Sequence, residues 1–432
     1  MALGSLVTGK IAIVMFENFL QTFESQQSLL PLVKHWVPDA ADLQNAGNQL
    51  WRPYDQHAPI IAGWDLNGLE SGIIQQTYPA VLGTPSNDFV SQRIDDMRDM
   101  QFWKERGEQS ARRQASNLNQ SIASAMALQG SLYYRNTSTN GLDFISEAQA
   151  LMNERQLVKN QRHYMLNDRS TQKFAKELGS RQTLQGRPES DAWAKGQIGA
   201  NVAEFDIHTG SFLPALAGGA AVSTTVTGNQ SFAPTAGTVD PTTGVVTNVD
   251  ARSATIPVAA SGSYNVGDKV TFVNTSTPVY AVGLDDKTNT VSPMTFTIVA
   301  KPNGTSITVM PRPIAADDAA LSTLQKAYAN INTTILNGAT VVRQNSDASA
   351  RTNLFWDKDA VEVIGGALPA EKFKEFSGKK VLSETMKNGQ PVYMVWDGNI
   401  TDLTFRWRLF TWFGITIRNP SAVGVSVAAD GT

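Results

Sequence analysis

A few acidic clusters, one histidine–aspartate pair and one lysine run are the residues of this chain whose types and spacing could do chemistry. Asp95, Asp96 and Asp99 crowd into one short stretch. A hard cation wants several convergent oxygens, whereas neighbouring helical positions point about 100° apart. Arg93 and Arg98 lie among these acids as neutralising partners, so the set reads as helix-dipole and ion-pair residues. Asp285-Asp286 and Asp317-Asp318 do not follow the calcium-loop pattern and read as turn and cap residues. His57 with Asp55 has the makings of an acid–base pair, but no nucleophile stands beside it. Gly378-Lys379 lacks the upstream glycine of a phosphate loop. Lys372, Lys374, Lys379 and Lys380 are interleaved by Glu371 and Glu375, as on a solvated face. There is no cysteine and there are only four histidines, widely spaced. Disulfide scaffolds, cysteine–zinc sites, iron–sulfur clusters and thiol catalysis are excluded. No catalytic residue, metal or cofactor is assigned, and the chain reads as a non-enzyme.

The 432 residues allow two to four domains. Charged residues are 17%, against about 25% in an average soluble protein, which suggests surface hidden in contacts with other chains. The net charge of −3 leaves no polycationic footprint for nucleic acid. The first ten residues lack the basic region of a signal peptide. The longest apolar runs, 11–16 and 409–417, fall short of the ~20 residues of a spanning helix. The expectation is a soluble intracellular product without a membrane partner.

Five segments follow from patterning. Residues 1–46 form an arm whose apolar helix or strand (Leu6, Ile11, Ile13, Phe16, Phe19, Leu20, Phe23) must dock elsewhere, with Glu17 and Glu24 its only acids. Residues 47–86, dense in aromatics, glycine and proline, form a long hairpin-like loop, extended at 51–54 and 73–78. Trp51, Tyr54 and Trp64 there are interface-type residues. No proline occurs between Pro85 and Pro188. A long helix capped by Asn87 or Asp88 is expected, with an apolar stripe too thin for a core helix, followed by helical blocks at 144–160 and 171–178. Between Pro214 and Pro313 lie nine of the nineteen prolines, with Val, Thr, Ser and Gly dominant. Short alternating segments (221–227, 255–259, 269–274, 294–300, 306–310) predict a small antiparallel barrel or sandwich inserted mid-chain, its ends close together. Its hairpin, residues 238–254, carries Asp240, Asp250 and Arg252, which suit contact with a symmetry mate. Beyond Thr352, strands are expected at 391–396 and 403–417, the latter with Phe405, Trp407, Leu409, Thr411, Phe413, Ile415 and Ile417 on one face and Arg406, Arg408, Phe410 and Trp412 on the other, both faces being buried at least in part.

These residues resemble the coat proteins of short-tailed phages typified by the Salmonella phage P-twenty-two. The likeness runs from about residue 36 to 424. It is carried by Trp51-x-Pro53 with Gln56 and Pro59, Gly63-Trp64-Asp65-Leu66, Asn87-Asp88-Phe89, and Arg93-x-Asp95-Asp96-x-Arg98-Asp99. Gln230-Ser231-Phe232-x-Pro234, Asp317-Asp318 and Ala327-Tyr328-Ala329-Asn330 follow. Ala350-Arg351-Thr352-Asn353-x-Phe355-Trp356 and then Arg408, Trp412, Gly414, Pro420 and Gly424 complete the set. The resemblance implies an α+β fold of the HK-ninety-seven capsid type with an inserted β-barrel. Its parts would be an N-terminal arm (1–46), an E-loop (47–86), and a P-domain with a long spine helix from Asp88 (87–150). An A-domain would begin at 151–221, the insertion would occupy 222–345 with a D-loop at 238–254 bridging capsomers, and return strands would fill 346–432. It further implies a major capsid protein of the virion, assembled in the host cytoplasm with scaffolding and portal proteins. Pentamers and hexamers would close an icosahedral procapsid that later expands around double-stranded DNA. Trp51, Tyr54 and Trp64 would then touch a neighbouring subunit, Asp240, Asp250 and Arg252 a neighbouring capsomer, and Glu17 the scaffolding protein or a neighbour. The departing arm and E-loop interior (67–81) carry no family-specific contacts over. A rival reading makes the threonine-rich insertion the binding module of a tail- or surface-associated carbohydrate-binding β-protein, and a remoter one makes the acidic cluster a hydrolase site.

Overall fold

The computed structural model describes residues 3–38, 47–62, 64, 67, 70, 72–93, 100–136, 141–181, 197–218, 222–345, 350–368, 374–375, 380–387, 389–399, 401 and 403–428. The chain divides into two compact units. One is Met1–Leu50, Ala80–Ile122 and Glu362–Thr416; the other is Trp51–Pro79, Ala123–Val361 and Ile417–Thr432.

In the first unit, helix α1 (Leu3–Gln26) buries Ala12, Met15, Phe16, Phe19 and Phe23, a spacing that puts all five on one face. Phe19 and Phe23 stack at 5.3 Å. Helix α2 (Met100–Gln129) buries Trp103, Ala111, Ala115, Leu118 and Ile122 in this unit. Gly107 lets α1 approach, because a Cβ there would overlap the Met15 carbonyl. Asn119 accepts from the Leu29 amide at 3.3 Å and donates to the Gln26 carbonyl at 3.2 Å, capping the end of α1. A four-stranded antiparallel sheet runs Lys380–Thr385, Pro391–Asn399, Thr404–Thr411, Ser86–Arg93. Trp103 lies edge-on to Trp407 at 4.9 Å. A second sheet joins Lys34–Trp36, Val361–Gly365 and Phe413–Ile417.

Three expectations are corrected here. Asn87 and Asp88 do not cap the long helix. They lie in the strand Ser86–Arg93, where both carboxylate oxygens of Asp88 accept from Arg106 at 2.8 Å and Asn87 accepts from Arg408 at 2.7 Å. The stripe of α2 is not thin. Its buried face is completed by Ser110, Gln114 and Asn119 alongside alanines, residues too small or too polar to register as core in a sequence. The expected strand over 403–417 is two strands in different sheets, broken at Trp412, whose indole donates to the Gly83 carbonyl at 2.7 Å.

The second unit holds a mixed sheet ordered Leu132–Asn136, Val423–Ala428, Ala350–Asp357, Arg162–Leu166, Phe205–Thr209, Gln197–Val202, with Ala215–Leu216 paired beside Ala350–Asp357. Helices α3 (Gly141–Glu154) and α4 (Asp168–Arg181) cover it, against the expected 144–160 and 171–178. The insertion contributes a seven-stranded sheet with its own apolar core, in which Phe272 and Phe296 meet at 5.3 Å. Its strands Lys269–Asn274 and Ser306–Met310 fall where alternation put them. Its first and last strands pair, Ser223 opposite Val342, so the two ends of the insertion lie side by side. The expected closed barrel is not found. The edge strands Ser223–Thr225 and Ala254–Pro257 form no ladder and meet only through the isolated bridge Val226–Val258 and the few hydrogen bonds beside it.

Candidate assembly surfaces

The long loop begins and ends as an antiparallel ladder, Gln49–Pro53 with Thr77–Val81. Among the described residues between them, several apolar side chains stand uncovered. Trp64 is fully exposed, Ile60 nearly so and Ile73 largely. Trp51 is more than a third exposed. Tyr54 turns inward instead, edge-on to Tyr78 at 6.3 Å, and burial pushes its hydroxyl pKa well above the ordinary tyrosine value.

The hairpin of the insertion separates its charges from its apolar residues. Thr238 pairs with Thr247 and Val239 with Val246. Asp240 serves the turn itself, accepting from the Thr242 amide at 2.8 Å and the Thr243 amide at 3.3 Å. These bonds hold its carboxylate below the usual range. Gly244 closes the turn at φ +68°, a conformation that favours glycine. At the base, Arg252 is buried. Its guanidinium meets both oxygens of Asp250 at 2.9 Å, donates to the Ile417 carbonyl at 2.5 Å and lies over the Tyr78 ring at 5.4 Å. The Ala251 amide donates to Thr77, and Thr77 donates back to Val249. Tyr54, Asp250 and Arg252, from two loops far apart in sequence, thus meet around Tyr78. The hairpin presents Val239, Val245, Val246 and Val249 outward, with Asp240 exposed at its turn. Glu17 sits exposed on α1, opposite its buried face.

The other chemistry candidates resolve into structural parts. Asp55 pairs with Arg418 at 2.8 Å rather than with His57, whose ring packs edge-on to Tyr328 at 5.2 Å. Burial lowers the His57 pKa. Asp286 holds a turn through Thr288, and Asp317 accepts from Thr333 and Thr334. Asp95, Asp96, Asp99, Arg98, Lys372 and Lys379 lie outside the described residues. No group of three or more potential metal ligands occurs among the described residues, and no helix there is long and apolar enough to cross a membrane.

Several buried polar groups gave no sequence signal. His163 and His208 stand 5.5 Å apart in adjacent strands, with Asp206 at 4.0 Å from His163. Burial, with His208 adding to it, lowers the His163 pKa to about 4. Asp268 and Arg343 form an ion pair at 2.5 Å with both side chains buried. Lys269 has no exposed surface at all. Neither spacing nor type marks such groups, since lysine and arginine are ordinarily surface residues.

The family-like residues prove to be pins. Phe355 lies directly opposite Gly424, where a Cβ would overlap its ring. Gly414 is pressed against the Val81 carbonyl in the same way. The Pro420 carbonyl accepts from both the amide and the hydroxyl of Ser131. Asn330 accepts from the Ile314 amide and donates to the Arg312 carbonyl.

Solved structures similar to this chain include three phage capsids. The capsid of cyanophage P-SCSP1u is 12% identical with a TM-score of 0.43, covering 93% of this chain and 87% of that one. The capsid of Ralstonia phage GP4 is 9% identical at 0.42, covering 95% and 92%. The mature capsid of bacteriophage PhiM1 is 9% identical at 0.42, covering 94% and 88%. Matched over residues 1–429 by the model of the family described as P22 coat protein, gene protein 5, the chain belongs to that family, and its function is that of the major capsid protein of a phage head.

Proposed function

We propose that copies of this chain form pentamers and hexamers, that these close an icosahedral shell around double-stranded DNA, and that the hairpin 238–254 bridges neighbouring capsomers. The shell grows in the host cytoplasm on a scaffolding protein, with a portal protein at one vertex, and later expands. The long loop lies on a neighbouring subunit through Trp51 and Trp64, with Tyr54 fixing its root. Glu17, on the open face of α1, is left for scaffolding protein or a neighbour. The insertion wraps towards a barrel, with Thr227 donating to Pro257 and Ala259 to Thr225 beside the Val226–Val258 bridge. The observation that carries the proposal is the exposure of apolar side chains on thin projections. Trp64 is uncovered, and a ladder two residues long per strand holds out four valines. A two-stranded ladder is marginal alone in water, and each covered side chain of this size gains about 1.5–3 kcal/mol.

The absence of cysteine makes the test direct. Val246→Cys should give disulfide-linked dimers in assembled shells under mild oxidation and none in the unassembled protein. Shells of normal yield without cross-linking, or with the segment 238–254 deleted, would remove the hairpin from the capsomer junction. Electron microscopy with and without the cognate scaffolding protein checks the shell geometry.

A further inference from the structure

The insertion reaches the end of helix α2 through one wholly buried amine. Lys269 opens the strand Lys269–Asn274. Its Nζ donates to the Ala127 carbonyl at 2.7 Å, the Gly130 carbonyl at 2.5 Å and the Thr297 hydroxyl at 3.0 Å. Thr297 in turn donates to Gly130 at 2.5 Å. Ala127 and Gly130 belong to the last turn of α2 and the residue just past it. The last carbonyls of a helix have no partner within it and form the negative end of its dipole, which favours a cation. The surroundings fix the strand's entry. The Lys269 amide donates to Asn345, Asn345 donates to Asp268, and Asp268 pairs with the buried Arg343. Gly267, at φ +94°, lets the insertion close over Leu128, because a Cβ there would overlap that side chain. Burial lowers the Lys269 pKa to about 7, with Asp268 opposing the shift.

We infer that Lys269 is a lock that makes the last turn of α2 and the insertion one cooperative unit: the insertion supplies the cap the helix end lacks, and the helix end supplies the acceptors the buried amine needs. Neither side opens alone without stranding a buried polar group. The last turn of α2 and the strand that carries the lock then order together, and the hairpin 238–254, on the same insertion, gains a rigid footing.

Native-state hydrogen exchange of the full-length protein tests this. In Lys269→Met, amides 126–131 should exchange about 10- to 100-fold faster. Amides 103–115 and those of strand Ser306–Met310 should keep their protection. Unchanged exchange at 126–131 would overturn the inference. Should Lys269→Met not fold, Thr297→Val keeps the amine and removes one acceptor, and a smaller rise confined to 126–131 is expected. In the unaltered protein, amides 126–131 and 269–273 should share one opening free energy and one urea dependence. Separate dependences would refute a common unit whatever the variants do.

Discussion

Gly424→Ala is the substitution whose cost the structure fixes most directly. Gly424 and Phe355 face each other across Val423–Ala428 and Ala350–Asp357. The fully buried Phe355 ring stacks on Tyr164 at 5.9 Å, tilts against Tyr134 at 5.7 Å and meets Phe205 edge-on at 6.4 Å. An added Cβ would lie 2.0 Å from the nearest ring carbon, so either the ring swings away from these neighbours or the two strands part. Overpacking costs about 1–3 kcal/mol, and breaking each aromatic pair costs about 0.5–1.5 kcal/mol. Against this stands a gain of about 0.5–1 kcal/mol, because alanine restricts the unfolded chain more than glycine does. The net is a loss of about 2–4 kcal/mol. Urea unfolding of the monomer, followed by aromatic circular dichroism, measures it. On a Phe355→Leu background the same change should cost under about 1 kcal/mol, since the clashing ring is gone. A cost near zero in the unaltered background, or an equal cost in both, would refute the reasoning.

Acid should weaken the second unit through His163 and His208. Burial depresses the folded-state pKa of both, so the unfolded chain binds more protons. Stability is therefore full above pH 6.5 and is lost as pH falls towards about 4. The His163 shift alone corresponds to an upper bound of about 3–4 kcal/mol at 1.36 per unit, reduced by solvent screening. In His163→Phe the stability curve over that range should flatten, and an unchanged slope would reject the assignment. Trp64→Ala should lower shell yield while leaving monomer unfolding within about 0.5 kcal/mol, and the reverse ranking would make Trp64 a core residue. Asp250→Asn should cost the monomer about 3 kcal/mol by stranding Arg252, whereas Asp240→Asn should leave its unfolding curve in place.

The insertion was legible because composition and alternation change together there, and strands 269–274 and 306–310 stand where a period of two puts them. The two faces of Thr404–Thr411 were legible for the same reason. Phe405, Trp407 and Leu409 are buried while Arg406 and Arg408 are exposed. The start of α2 was not, since a short polar side chain reads alike whether it caps a helix or grips a distant arginine. Asn87 and Asp88 do the second. Nor did the buried face of α2 show itself, being built of Ala, Ser, Gln and Asn. In the candidate surfaces, the exposure of Trp51 and Trp64 follows from a loop too broken by glycine and proline to build a layer over them, whereas the partners of the hairpin's charges could not be read from spacing. Arg252 meets Asp250 two residues away, and only the fold brings Tyr78 and Ile417 to it. A composition rich in valine and threonine said nothing of which valines would stay uncovered.

With Arg252 buried against Asp250, the hairpin tip keeps one exposed carboxylate, Asp240, beside its exposed valines, and this has a consequence for assembly. Contacts between exposed charges weaken as salt screens them, with a screening length of about 10 Å at 0.1 M falling to about 3 Å at 1 M. Apolar contacts instead weaken on cooling. Asp240 is occupied by its own turn and Arg252 by Asp250, whereas Val239, Val245 and Val246 are each more than half exposed. The valines supply the apolar surface that a neighbour would cover. Light scattering of assembling protein should therefore change little between about 0.05 and 0.5 M sodium chloride and fall on cooling to about 4 °C. Val239→Ser with Val246→Ser should depress assembly at every salt concentration without shifting the monomer's unfolding curve. Assembly that collapses with salt in the unaltered protein would return the junction to charged residues, and the serine pair would then be expected to assemble normally.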